Sequence, residues 1–321
     1  MRSTTLRIAT VAAAAVTGLT TVLVAGQSGA VAGQPTTTAT TTAAAAQKQA
    51  PRPLRIMLTN DDGWSAPGIT VIYNALVAAG YDVTMVAPLA NNSGMGGKIA
   101  LGGTLKVTQP QPHKYAVDGT PSDAAEFGFN TVYADRAPDL VVSGTNKGQN
   151  LAALQIHSGT LAAAAASLNN GVPAIAISTG WDYADPNADP DSFPYDDTAA
   201  YLLHLLDQLQ AMAKPGAPIL PSGIGLNVNY PYVDGGHGRA KGVKVLGSGS
   251  GYADLSYAGA SLPPVGGSST YTIGADLFDS ADPNADDVWF KRGYVTITPI
   301  HGNYDAPVQG TGLQRLAGST D

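Results

Sequence analysis

The stretch Leu54-Arg-Ile-Met-Leu-Thr-Asn-Asp-Asp-Gly-Trp-Ser-Ala-Pro-Gly68 carries an apolar strand into a turn and then opens a helix. Arg55 to Thr59 reads as strand. Ile69, Ile72, Tyr73 and Leu76 then share one face of a helix over Gly68 to Ala79, stopped by Gly80. At the join stand two adjacent carboxylates, Asp61 and Asp62, and the carboxyl ends of strands are where open α/β sheets bind ligands. Neighbouring like charges aimed into a cleft require compensation, most simply a divalent cation held by oxygen ligands. The alternative reading is a plain turn, because Asn, Asp and Gly all tolerate left-handed backbone.

Working outward, the same alternation continues. Apolar runs at Asp82 to Ala87, Asp139 to Ser143 and Ala174 to Ser178 read as strands, and the last two flank an alanine-rich helix from Thr160 to Leu168. Continuous apolar strands separated by helices predict a parallel sheet covered on both faces. A helix from Thr198 to Met212 presents Tyr201, Leu202, Leu205, Leu206 and Leu209 to the core, with Asp196 or Asp197 as its cap. Gly225 to Asn229 and Tyr294 to Thr298 read as further strands. Gly235 to Thr270 is rich in Gly, Ser and Tyr and predicts hairpins and loops, suited to a subunit contact. The fold class is therefore α/β, a doubly wound, mostly parallel sheet with a β-rich C-terminal extension.

The first fifty residues belong to a different regime. Arg2 and Arg7 precede an apolar stretch from Ile8 to about Ala25, and Ala30-Val31-Ala32 offers a small-residue cleavage site, so residues 1–32 read as a secretory signal peptide. An uncleaved anchor is the rival, disfavoured by Thr10, Thr17, Thr20 and Thr21 within the stretch. Residues 33–52 form a low-complexity Thr/Ala linker without the apolar residues that would offset ordering entropy. Residues 53–321 form the globular domain, whose part from about 230 to 321 includes the hairpin extension. The 321-residue chain has no cysteine, which excludes disulfides, thiolate metal sites, a cysteine nucleophile and a lipoprotein anchor. Its formal charge is −7, and it has no Lys/Arg cluster, which argues against nucleic acid as a partner. The expected protein is secreted and holds no stable membrane association after cleavage.

Two further loops fall on the same sheet edge as the acid pair. Ala87-Pro-Leu-Ala-Asn-Asn-Ser-Gly-Met-Gly-Gly97 offers Ser93 as a hydroxyl ligand together with backbone amides. Ser143-Gly-Thr-Asn-Lys-Gly-Gln-Asn150 combines small residues with amide side chains whose oxygens suit a hard cation. Lys147 there is suited to phosphate pairing or simply to solvent. His157-Ser158-Gly159-Thr160 opens the alanine-rich helix, whose N-terminal amides form an anion site. Ser158 is also placed as an ordinary N-cap, and the two roles are compatible. His157 fits packing or hydrogen bonding as well as acid catalysis.

Together these segments resemble the SurE-like survival-protein phosphatases, metal-dependent nucleoside-monophosphate phosphatases. The resemblance rests on Asn60-Asp-Asp-Gly63 with Ala66-Pro-Gly-Ile69, Ala87-Pro88 with Ser93-Gly94, Asp118-Gly-Thr-Pro-Ser-Asp123 and Pro138 through Asn150. It continues in Ser158-Gly-Thr-Leu-Ala-Ala-Ala164, Pro173 to Ser178, Asn227-Val-Asn229 with Pro231, and Thr296-Ile-Thr-Pro299. It implies a Rossmann-like fold and one divalent metal ion per subunit (Mg, Mn or Ca), held by Asp61, Asp62, Ser93 and Asn146. Catalysis falls on Asp61 and Asp62, and phosphate contacts fall on Asn146, Asn150, Ser158, Gly159 and Thr160. The implied substrate is a nucleoside monophosphate or another phosphomonoester, and the implied assembly a homodimer or homotetramer. The chain departs from the pattern at Trp64-Ser65 and His157, and Gly235 to Asp287 matches poorly.

Other classes remain to be set against this one. A secreted nucleotide- or phosphate-binding protein of the same fold would keep the anion pocket without turnover. A receiver-like domain needs an acceptor Asp after its third strand, and a haloacid-dehalogenase-type phosphatase needs Asp-x-Asp where this chain has Asp61-Asp62-Gly63.

Overall fold

The computed structural model describes residues 53–182, 192–259 and 261–303. The signal-peptide and linker segments lie outside the described residues, and all described residues fall in one unit, Pro51–Asp321. In chain order the elements begin with β1 (Arg55–Thr59), α1 (Pro67–Ala78), β2 (Asp82–Pro88), β3 (Lys106–Gln111), β4 (Lys114–Asp118) and α2 (Pro121–Phe127). Then come β5 (Leu140–Lys147), a 3-10 turn over Ala152–His157, α3 (Gly159–Asn169), β6 (Ala174–Thr179), α4 (Tyr195–Met212) and β7 (Gly225–Tyr230). The chain continues with β8 (Val243–Val245), β9 (Tyr252–Gly259), β10 (Tyr271–Phe278), α5 (Asp286–Lys291) and β11 (Val295–Ile300).

Nine strands form one sheet in the order β3-β4-β2-β1-β5-β6-β7-β11-β8, and β9 pairs with β10 in a separate antiparallel hairpin. From β4 through β7 every neighbour is parallel, while β3 on β4 and β11 on β7 are antiparallel. The chain leaves β1 toward β2 on one side and later returns to β5 on the other, which makes the carboxyl end of β1 the switch point of the sheet. Asp61 and Asp62 follow β1 directly.

Both faces are covered, as continuous apolar strands require. Ile56 and Leu58 point to the face packed by Ile69, Ile72 and Leu76 of α1 and Leu202 and Leu206 of α4. Met57 points to the other face, beneath Ala124 and Ala125 of α2 and Ala163 and Ala164 of α3. Alanine on α3 lets that helix lie close to the sheet. At the start of α1, Gly68 meets the Thr145 carbonyl at a distance that leaves no room for a Cβ. Among the described residues no helix is long and apolar enough to cross a membrane.

Three expectations need correction. The strand expected over Asp139 to Ser143 runs on to Lys147, its register against β6 shifting between Ser143 and Asn146, so Asn146 sits on a strand end and not in a free loop. The helix expected from Thr198 starts at Tyr195 behind Pro194; Asp196 and Asp197 therefore lie in its first turn, with no side-chain cap. The Thr198 hydroxyl instead donates to the Pro194 carbonyl at 2.8 Å. Finally, β3, β4 and α2 occupy a region with no assigned elements, although Thr120-Pro-Ser-Asp123 is a readable capping box, with Thr120 and Asp123 exchanging side-chain and backbone hydrogen bonds.

Candidate metal and anion site

Asn60 begins the site by closing its own turn. Its side-chain amide donates to the Gly63 carbonyl at 3.0 Å, and its Oδ1 accepts from the Gly63 amide at 3.2 Å. Gly63 takes φ +108, which favours glycine. This turn leaves Asp61 and Asp62 on successive positions facing different neighbours. Asp61 is buried and its Oδ1 accepts from the Thr160 hydroxyl at 2.6 Å. Asp62 Oδ2 accepts from the Lys147 amide at 2.9 Å. Gly159, the first residue of α3, is packed so that a Cβ there would meet the Asp61 Cβ at 2.7 Å and Pro121 at 2.9 Å. The amino end of α3 thus abuts the acid pair, with Ser158 capping it by accepting from the Leu161 amide at 3.1 Å.

The loop carrying Ser93 is tied to the same place by its backbone. The Asn92 amide donates to the Asp61 carbonyl at 2.7 Å, and the Gly96 amide donates to the His157 carbonyl at 3.1 Å. Ser93 lies between these anchors, exposed, with its amide on Asn91 Oδ1 at 2.7 Å. Asn146 donates its side-chain amide to the Gly148 carbonyl at 2.7 Å, which assigns the amide end and leaves Oδ1 as the acceptor end. Asn150 is held from beneath: its amide donates to Asn229 Oδ1, its carbonyl accepts from the Asn227 and Asn229 side chains, and its Nδ2 donates to Ser178 Oγ at 3.0 Å.

The structure therefore brings Asp61, Asp62, Asn150, Gly159 and Thr160 into one hydrogen-bonded and packed group, and carries Ser93, Asn146 and Ser158 on the adjoining segments. The Thr160 hydroxyl is committed to Asp61. His157 is exposed at the end of the 3-10 turn. Sequence reasoning missed Asp286, which accepts from the Ala152 amide (3.2 Å), Gln155 Nε2 (3.0 Å) and the Gly249 amide (2.8 Å) and so fastens the turn that leads into Ser158. It also missed Tyr195, which lines a cavity together with Asp62. The acidic first turn of α5 was the available signal for the former; nothing local distinguishes Tyr195 from a packing residue.

The electrostatics set this group apart. Burial lifts the Asp61 carboxyl to about 6; the Thr160 hydroxyl works against this rise and the Asp62 charge adds to it. Burial also raises Asp62, opposed by the Lys147 amide and its charge. Among the described residues neither carboxylate forms an ion pair, and Lys147 lays its ammonium over the Phe193 ring at 5.1 Å. No group of three or more His, Cys, Asp or Glu side chains comes together among the described residues. The donor set is thus two carboxylates supplemented by neutral oxygens, a chemistry that suits Mg, Mn or Ca better than zinc. A buried carboxylate, Asp61, beside a half-buried one, Asp62, with no ion pair to either among the described residues, fits a divalent cation.

Fold and site together define an α/β protein with a paired-carboxylate, helix-N-terminus site at the switch point of its sheet. The family model described as Survival protein SurE matches residues 56–253, and the chain belongs to that family. It is 34% identical over 254 residues to the 5'-nucleotidase SurE of Fervidobacterium nodosum, covering 77% of this chain and 91% of that protein. It is 32% identical to the 5'-nucleotidase SurE of Nitratidesulfovibrio vulgaris, covering 78% and 94%. The crystal structure of the SurE protein from Aquifex aeolicus superposes with a TM-score of 0.62 at 29% identity, over 78% of this chain and 94% of that one.

The raised Asp61 carboxyl generates a prediction for metal-free protein. The folded state holds this proton more tightly than the unfolded chain, with titration near 6 against 3.8, so stability falls as pH rises between those values and is not regained above them. The difference is on the order of 3 kcal/mol. Denaturant unfolding in chelator is expected to show Asp61→Asn more stable than the parent at pH 7 and indistinguishable at pH 4. An Asp61→Asn variant that is no more stable at pH 7 would contradict the assignment.

Proposed function

We propose that this protein is a metal-dependent phosphomonoesterase that hydrolyses nucleoside monophosphates, as a 5'- or 3'-nucleotidase. The observation that carries the reading is the Asp61–Asp62 pair at the tip of β1, with buried Asp61 set directly against the amino end of α3. Membership of the SurE family and the 5'-nucleotidase names of its relatives support it.

In this reading Asp61, Asp62, the Ser93 hydroxyl and the Asn146 carbonyl oxygen hold one divalent ion per subunit. When bound, such an ion supplies positive charge to the phosphoryl group and lowers the pKa of attacking water. The chain's own residues do the rest. The Thr160 hydroxyl fixes Asp61, the Lys147 amide fixes Asp62, and the capped start of α3 from Ser158 to Thr160 directs its dipole toward the non-bridging oxygens as charge develops. Asn146 and Asn150 flank the phosphate. A binding protein without turnover shares all of these features except hydrolysis, and phosphate release separates the two.

Export belongs to the same proposal. Residues 1–32 act as a cleaved signal peptide and the enzyme works outside the cytoplasm as a homodimer or homotetramer, its hairpin extension at the subunit contact. Support comes from Arg2, Arg7, the apolar stretch that follows and Ala30-Val31-Ala32. N-terminal sequencing of protein recovered from culture medium is expected to read from Gly33; an intact Met1 on the exported protein overturns the cleavage.

Substituting Asp62→Asn and assaying p-nitrophenyl phosphate with Mg, Mn or Ca tests the site. Turnover is expected to fall at least about a hundredfold, since losing even an outer partner of a metal ligand costs about ten- to a hundredfold. Chelation should abolish activity in the parent. Undiminished turnover in Asp62→Asn would sink the proposal.

A further inference from the structure

A cavity of about 390 Å³ opens beside Asp62, on the side of the acid pair away from α3, and its walls include Pro67, Leu89, Lys147 and Tyr195. Tyr195 is the first residue of α4 and ends a run of stacked rings: Trp181 on Phe193 at 4.7 Å and 16°, then Phe193 on Tyr195 at 5.3 Å and 11°. The Lys147 ammonium sits over the middle ring. The edge that carries the acid pair therefore continues into a space walled in part by Tyr195, the end ring of the aromatic stack, and by apolar Leu89 and Pro67.

A packing role explains one buried ring, but not a three-ring stack whose last member borders a cavity shared with a candidate ligand carboxylate. The space exceeds what a phosphate needs, and a flat heteroaromatic ring extends such a stack at little cost. Bases stack on aromatic side chains without regard to sequence because every base has a π-face. A second cavity of about 610 Å³ meets the site at Ser158 but runs away along the outer face of α3 to His301 and Asn303. It touches neither carboxylate.

We propose that the cavity at Asp62 receives the nucleoside of a nucleoside monophosphate, with Tyr195 stacking on the base and the Lys147 side chain at its rim. This rests on the nucleotidase reading above and assigns the leaving group to one side of the acid pair, the phosphate lying toward α3. Tyr195 is then a specificity residue, not a catalytic one.

The test is carried out on the full chain with two variants, Tyr195→Ala and Tyr195→Phe. Each is assayed on adenosine monophosphate and on glycerol phosphate, which has no ring. In Tyr195→Ala the ratio of kcat/KM for the nucleotide over that for glycerol phosphate is expected to fall about tenfold, through KM, with the ratio restored in Tyr195→Phe. Calorimetric binding of adenosine, read without turnover, should weaken about tenfold in Tyr195→Ala and recover in Tyr195→Phe. A ratio that stays constant while both substrates decline marks a merely structural tyrosine and overturns the proposal. So does a parent that binds no adenosine, or a nucleotide preference lost in Ile156→Ala of the larger cavity and kept in Tyr195→Ala. Adenosine binding that follows this pattern without phosphate release from any substrate would sink the nucleotidase reading and leave the subsite standing.

Discussion

The hydrogen bond from the Thr160 hydroxyl to the buried Asp61 carboxylate is the contact on which the rest of the site depends. It joins the tip of β1 to the first turn of α3, elements far apart in sequence. It also places a negative charge where burial opposes ionisation. A carboxylate in that position is costly alone, and a cation beside it would offset that cost. Gly159 is what permits the approach, since any Cβ there would strike Asp61 itself.

The surrounding structure holds this contact in place through its backbone. Alanines on the inner face of α3 seat the helix close on β5 and β6, and the Asn150, Asn227 and Asn229 network fixes the segment between β5 and the 3-10 turn from below. Asp286 fastens the turn from the C-terminal part of the chain. The Ser93 loop is pinned at Asp61 and at His157. Candidate ligands from separate loops are thus presented on backbone already committed to hydrogen bonds, the condition under which an oxygen site selects for geometry and not only for charge.

The sheet and most of its helices were legible in the sequence because their signal is local: β1, α1, β2, α3, β6 and β7 all follow apolar runs bounded by glycine, proline or a capping residue. The Asp61–Asp62 pair was legible as a candidate site for the same reason, standing at the turn that joins the first strand to the first helix. Three kinds of feature were not legible. The extension of β5 through Asn146 depends on an irregular register with β6, a property of the pair of strands and not of either one. The reversal of β11 against β7 is likewise decided by the partner. The commitment of Thr160 to Asp61, and the meeting of Tyr195 with Asp62 across one cavity, arise only when distant segments come together. Local pattern carries no trace of them.

The proposed function depends above all on the Asp61–Asp62 pair being a cation site beside the amino end of α3. Anomalous diffraction from crystals soaked in manganese and inorganic phosphate addresses it most directly. One strong manganese peak in contact with both carboxylates is expected, with phosphate density between that peak and the Ser158 to Thr160 segment. Manganese bound elsewhere, with the two carboxylates free of it in an enzyme that still releases phosphate, would contradict it.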